Sequence, residues 1–106
     1  MDKRTALETI DRFRHTLENK NITVNKIILY GSFAEGNYRD DSDIDVIVIS
    51  DDFAPLDYWA RIDLLSEAIY EIFEPIEAVS FTPNEWEKSD SFLVEYAKAG
   101  EVVYAT

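Results

Sequence analysis

Lys26-Ile27-Ile28-Leu29-Tyr30-Gly31-Ser32, ten intervening residues, and then Asp43-Ile44-Asp45-Val46-Ile47-Val48-Ile49 decide how this chain is read. The run over 26–30 is short, apolar and β-rich, which predicts a buried strand that stops at Gly31-Ser32. Phe33 to Gly36 reads as one helical turn, and a polar loop runs on to Ser42. The nearly unbroken branched run from Ile44 to Ser50 suits a central strand covered on both faces. A strand entering a glycine turn and then a helical turn exposes backbone N–H groups, and these with the local helix dipole make a seat for phosphate oxygens. Gly31 lets the backbone approach a phosphate closely, and the Ser32 hydroxyl adds an adjustable donor.

Asp43 and Asp45, two residues apart at a strand start, point to the same face. They offer hard oxygen ligands of the kind Mg²⁺ takes together with waters and substrate phosphates. Two-metal phosphoryl transfer calls for a third carboxylate from a neighbouring strand. Glu77, in the apolar stretch Ile76-Glu77-Ala78-Val79, is the candidate.

Outward from this centre, Ala6, Ile10, Phe13 and Leu17 recur at helical spacing and predict a scaffold helix from Asp2 or Thr5 to about Asn19. Thr5 and Glu8 are placed to form its capping box. Pro55 is expected in the first turn of a second long helix with Ile62, Leu65, Ala68, Ile69 and Ile72 on its apolar face, stopped by Pro75. Ile76–Phe81 reads as a third strand. Thr82-Pro83-Asn84-Glu85 reads as a helix start. A last helix over 92–99 ends at Gly100, and Val102–Tyr104 forms an edge strand. The expected fold class is α/β (α+β), a small mixed sheet flanked by helices, with residues 1–106 as a single domain.

Ten Lys and Arg stand against 22 Asp and Glu, a formal net charge of −12. Such a chain repels a phosphate backbone, so direct binding of a long nucleic acid is not expected, whereas a basic protein partner is compatible. The chain has no cysteine, which excludes disulfides and zinc–thiolate sites. Met1 leads straight into Asp2-Lys3-Arg4 and no apolar run is long enough for a membrane span, so a cytoplasmic location is expected.

Leu29-Tyr30-Gly31-Ser32-Phe33-Ala34-Glu35-Gly36 with Ser42-Asp43-Ile44-Asp45-Val46 resembles the signature of the DNA polymerase β nucleotidyltransferase superfamily, and most nearly its minimal nucleotidyltransferase branch. The likeness extends to Ile76–Trp86. It implies that Gly31 and Ser32 contact a nucleoside triphosphate, with ATP favoured, and that Asp43, Asp45 and Glu77 bind two Mg²⁺ ions. The third acid is commonly Asp in the family, and Glu here is one methylene longer. The resemblance further implies the antitoxin of a HEPN ribonuclease toxin, silencing its partner by transfer of AMP to a partner hydroxyl or by binding. A docking module without activity and a small-molecule nucleotidyltransferase are the alternatives, and homo-oligomers are compatible with either.

Arg39 is counted with the nucleotide-binding residues as a phosphate-steering cation, and Tyr38 beside it as a surface for stacking on a base. A solvated loop is the alternative for both. His15, Asp40-Asp41 and Asp51-Asp52 are read as surface groups. Phe53, Tyr58, Trp59 and Trp86 are read mainly as core, with one or two available for an exposed patch. A chain this short is expected to present a shallow, open site.

Overall fold

The two apolar runs become the two central strands of one four-stranded sheet, in the order β3-β2-β1-β4. The computed structural model describes all 106 residues. In chain order these are α1 (Lys3–Asn19), β1 (Lys26–Tyr30), α2 (Ser32–Glu35), β2 (Ile44–Ile49), a 3₁₀ turn (Asp51–Phe53), α3 (Tyr58–Ile72), β3 (Ile76–Phe81), α4 (Pro83–Lys88), α5 (Phe92–Lys98) and β4 (Glu101–Ala105). Strand β1 is antiparallel to both β2 and β4, while β3 lies parallel to β2 after the α3 crossover. The sheet is therefore mixed and flanked by helices, as expected.

Alternation along the strands divides the apolar residues between two layers. Ile27, Leu29, Ile44, Val46, Val48 and Ile76 face Ala6, Ile10, Phe13 and Leu17 of α1 and Leu65, Ala68 and Ile72 of α3 in one continuous core. Ile28, Ile47 and Ile49 face the other way, against Ala97 of α5, with Tyr30, Val79, Phe81 and Trp86 packed around them. Being needed on both faces explains why β2 reads as a continuous apolar run.

Two helix starts differ from expectation. The α1 cap is the Asp2 carboxylate, which accepts from the Thr5 N–H at 2.8 Å. Glu8 pairs with Arg4 at 3.5 Å and takes no part in a capping box. Helix α3 begins at Tyr58 rather than near Pro55, because the Asp57 carboxylate caps it through the Ala60 N–H at 2.8 Å. A carboxylate cap satisfies an orphan amide that proline cannot offer. Residues 51–56 instead turn back on themselves and bury Phe53. The expected cap of α4 is present in full, with Thr82 and Glu85 bonding each other's backbone N–H groups. At its other end α3 closes on Phe73, which adopts a left-handed φ of +58° with its ring 84% exposed. No helix is long and apolar enough to cross a membrane.

Arg61 ties these pieces together. Its Nε donates to the carbonyls of Phe53 and Leu56, both at 3.0 Å, and its fork grips the Glu85 carboxylate at 2.7 and 3.1 Å. One guanidinium thus joins the turn after β2, the start of α3 and the cap of α4. Charge-assisted bidentate bonds of a largely buried Arg are worth more than exposed pairs. Arg61→Ala is expected to lower unfolding free energy by about 2 kcal/mol, measured by urea denaturation. A loss within error of zero would show that the fork is dispensable.

Candidate active site

The register of the sheet assembles the site. Tyr30 is paired with Asp45, and Asp45 with Glu77. The three side chains therefore form a row across β1, β2 and β3 on the layer that faces α5. The row lies at the end of the sheet where β1 finishes and β2 and β3 begin. Asp43, two residues before Asp45, is exposed just outside β2.

Gly31 follows directly from Tyr30, and its backbone conformation, φ +77° and ψ −154°, suits glycine alone. A Cβ there would overlap Asp45 Oδ2. The missing side chain thus permits both the turn and the approach of the aspartate. The Gly31 carbonyl accepts from the N–H groups of Ala34 and Glu35 at 3.1 and 3.0 Å. The first amides of α2, at Ser32 and Phe33, precede any intrahelical acceptor and remain available as donors. The Ser32 hydroxyl has no protein partner either.

The turn is also braced from behind, chiefly through Tyr96, which the sequence did not single out. Tyr96 Oη donates to Glu35 Oε2 at 2.7 Å, and its ring meets Tyr30 edge to face at 5.9 Å. Gly100 allows the end of α5 to approach β1, since a Cβ there would overlap the Leu29 carbonyl oxygen. Burial, helped by the negative charges of Asp45 and Glu77, pushes the Tyr30 hydroxyl up to about 12, so it stays protonated and adds no charge to the row. Tyr30 belongs to the expected strand, but nothing local in the sequence announces that Tyr96 and Glu35 meet 61 residues apart.

Asp45 is the electrostatic centre. Burial first, then the Glu77 carboxylate within hydrogen-bonding reach, then Asp43, push its carboxyl up to about 6. No Lys, Arg or His pairs with Asp43, Asp45 or Glu77; the ion pairs of the chain lie elsewhere. Asp45 and Glu77 are brought together, whereas Asp43 stands apart, so the three do not close into a ready three-ligand cage. None of the cavities of the chain is lined by any of them, and the site is open as expected. Hard oxygens on an open face, short of positive charge and with room for waters and phosphates, fit Mg²⁺.

The remaining candidates separate clearly. The Arg39 N–H donates to Ser42 Oγ at 2.7 Å, which shapes the loop, and its exposed guanidinium has no ion-pair partner. The Tyr38 ring stacks one face on Phe33 at 4.6 Å, packs against the core and is partly exposed. Asp52 accepts from the Thr23 N–H at 2.7 Å, and Asp51 exchanges bonds with Asn25, which makes this acidic pair structural. Tyr58 and Trp59 are exposed, at 68% and 70%, and do not join the core, whereas Phe53 is buried.

Residues 12–106 match the family model described as polymerase beta, nucleotidyltransferase. A candidate protein adenylyltransferase of Methanocaldococcus jannaschii is 30% identical over 100 residues, covering 92% of this chain and 96% of the relative. Among solved structures, a candidate nucleotidyltransferase from Sulfolobus solfataricus aligns with a TM-score of 0.66 at 17% identity, covering 83% of this chain and 77% of that one. A toxin–antitoxin structure with AMP-PNP contains a chain that aligns at 0.63 and 24% identity, over 94% and 73% of the two chains. A structure of a tri-AMPylated Shewanella oneidensis HEPN toxin in complex with MNT antitoxin aligns at 0.59 and 21%, over 98% and 73%. At these identities the structural likeness is one of fold.

The geometry sets two expectations. Asp45 binds its proton more tightly in the native chain than its ordinary value of 3.8. Between pH 6 and 4 the native state then holds more protons than the unfolded state, so the Asp45 contribution to stability rises as pH falls. Above pH 6 the strain of the ionised carboxylate is fully present. Asp45→Asn is therefore expected to stabilise the metal-free chain at pH 7 by about 1 kcal/mol after allowance for solvent screening, with the gain gone below pH 4. Denaturation curves of both proteins across this range check it, and a destabilised variant at pH 7 would refute it. Gly31→Ala is expected to lower stability by about 1–3 kcal/mol, since it forces a left-handed φ on alanine and displaces Asp45. The same denaturation series measures it.

Proposed function

The chain belongs to the polymerase beta nucleotidyltransferase family, and we propose that it transfers AMP from ATP to a hydroxyl on a partner protein, as the antitoxin of a HEPN ribonuclease toxin. The observation that carries this reading is the Asp45–Glu77 row set against the Gly31 turn, with Asp43 beside it. It supports the reading because the turn that opens α2 and unpaired carboxylates share one end of the sheet. The relatives add support: one is a candidate protein adenylyltransferase, and others come from toxin–antitoxin structures that include AMP-PNP or an AMPylated HEPN toxin.

In this reading the Ser32 and Phe33 amides and the Ser32 hydroxyl hold phosphate oxygens of the triphosphate, and Arg39 steers it from the loop. Asp43, Asp45 and Glu77 would hold Mg²⁺, two ions in all, which would supply neutralisation of triphosphate charge and acidification of the acceptor hydroxyl. The acceptor oxygen forms a bond to the α-phosphorus, the bond from that phosphorus to the bridging β-oxygen breaks, and pyrophosphate leaves. The acceptor proton passes to the carboxylate row, with Glu77 as the base. The open face suits an acceptor carried on a protein surface.

A docking-only reading draws on one feature, the exposure of Glu77 and its pairing with Asp45 rather than with an arranged second ligand set. Co-expression with a HEPN toxin, followed by mass spectrometry of that toxin, separates the two. We expect an AMP adduct that falls by about 100-fold or more in Asp45→Asn and in Glu77→Ala, while the complex still forms. A stable complex with no adduct in the wild type would leave docking as the function. An adduct undiminished in Glu77→Ala would remove Glu77 from the site.

A further inference from the structure

Strand β3 is an edge of the sheet, and its outer side is open. The Ile44 N–H donates to the Pro75 carbonyl and the Ser50 N–H to that of Phe81. In a parallel ladder this alternation directs the backbone groups of Glu77, Val79 and Phe81 towards β2, and those of Ala78 and Ser80 outwards. The flanking outward amides are already used, since the Ile76 N–H donates to the Glu74 carbonyl and the Thr82 N–H to Glu85 Oε1. Ala78 and Ser80 have no backbone or side-chain partner outside the ladder, and their small side chains leave the approach clear. Strand β3 has no lysine, internal proline or bulge, and its one charged residue is Glu77 at the end that carries the carboxylate row. The opposite edge strand β4 has a register irregularity against β1, and its Glu101 is paired with Lys3 at 2.7 Å.

A cavity of about 460 Å³ runs beside this edge, between β3 and the first half of α3. Ala78, Val79 and Ser80 form one wall, with Tyr58, Ile62 and Leu65 opposite. Asp57 and Glu85 add negative charge, and its one cation, Arg61, is held by Glu85. Three residues back along β3 from Ser80, about 10 Å at the usual rise per residue, stands Glu77.

We propose that the β3 edge and this cavity dock an extended, basic segment of the acceptor protein by strand addition, and so deliver the acceptor hydroxyl to the carboxylate row. The inference rests on the proposed transfer reaction. Backbone bonds to Ala78 and Ser80 give affinity, alternate apolar side chains fill the cavity, and the net charge of −12 favours Lys and Arg on the segment. Charge selects this occupant over a second copy, because two chains of net charge −12 repel. The hydroxyl lies three or four residues along the segment from the stretch that pairs with Ser80.

The probe is a synthetic ten-residue peptide of alternating Lys and Val ending in Tyr. It is compared with a Glu-for-Lys version and with one N-methylated at alternate backbone amides. Hydrogen exchange of the Ala78 and Ser80 amides and peptide affinity are measured without ATP or metal, on the wild type and on Ser80→Pro, a substitution that an edge amide facing away from the ladder tolerates. We expect the basic peptide to slow exchange at both amides, and N-methylation, Glu-for-Lys exchange and Ser80→Pro each to weaken binding about tenfold or more. Equal binding of the N-methylated peptide, or no slowing of exchange at millimolar peptide, would overturn strand addition. Concentration-dependent protection of both amides without peptide would assign the edge to a second copy and overturn it too. Because no nucleotide is present, these outcomes are independent of AMP transfer. Loss of transfer with intact pairing would indict the reaction, and intact transfer without pairing would indict the docking edge.

Discussion

Residue 31 and the carboxylate of Asp45 compete for a space with no room for a β-carbon. That constraint organises much of the molecule. It calls for glycine directly after β1, at the point where the register pairs Tyr30 with Asp45. It also starts α2 at the point where its free amides face the same open end as the carboxylates. Both layers of the core serve this arrangement. The α1–α3 layer fixes the strands from one side, and α5 pins the turn from the other through Tyr96 and Glu35.

The site is arranged against its own stability. Asp45 and Glu77 are neighbours across two strands, half-buried and exposed respectively, with no cation to separate their charges. A fold selected only for stability would place an amide or an apolar residue in that row. The cost is tolerable because it is local, set at the rim of a sheet whose centre is packed on both faces. The same economy shows at Phe73, where a bulky residue adopts a left-handed conformation that glycine would accept more easily.

The fold was legible where burial imposes a period. Both central strands, the third strand, the α4 capping box and the apolar faces of α1 and α3 follow from spacing alone. Helix starts were less legible, because several residues compete for each cap and the winner depends on neighbouring turns. Asp2 displaced Thr5, and Asp57 displaced the proline start, once the 3₁₀ turn and Arg61 had fixed where α3 could begin. In the site, Asp45 and Glu77 could be placed because strand parity and register put them side by side on one face, whereas Asp43 falls just before β2 and stands apart from them. The Tyr96–Glu35 bond and the Tyr38–Phe33 stack could not, since each depends on how loops return to the sheet.

The unequal edges of the sheet have a bearing on assembly. Head-to-tail growth into a filament needs two complementary open edges on each unit, one to receive and one to offer. Here β3 pairs in unbroken register and bears its one charge at Glu77, whereas β4 is interrupted by its irregular register and charged start. A strand that adds to β3 therefore ends the ladder, and the product is a closed pair rather than a fibre. A small acidic protein can in this way keep one adhesive edge without becoming a polymer.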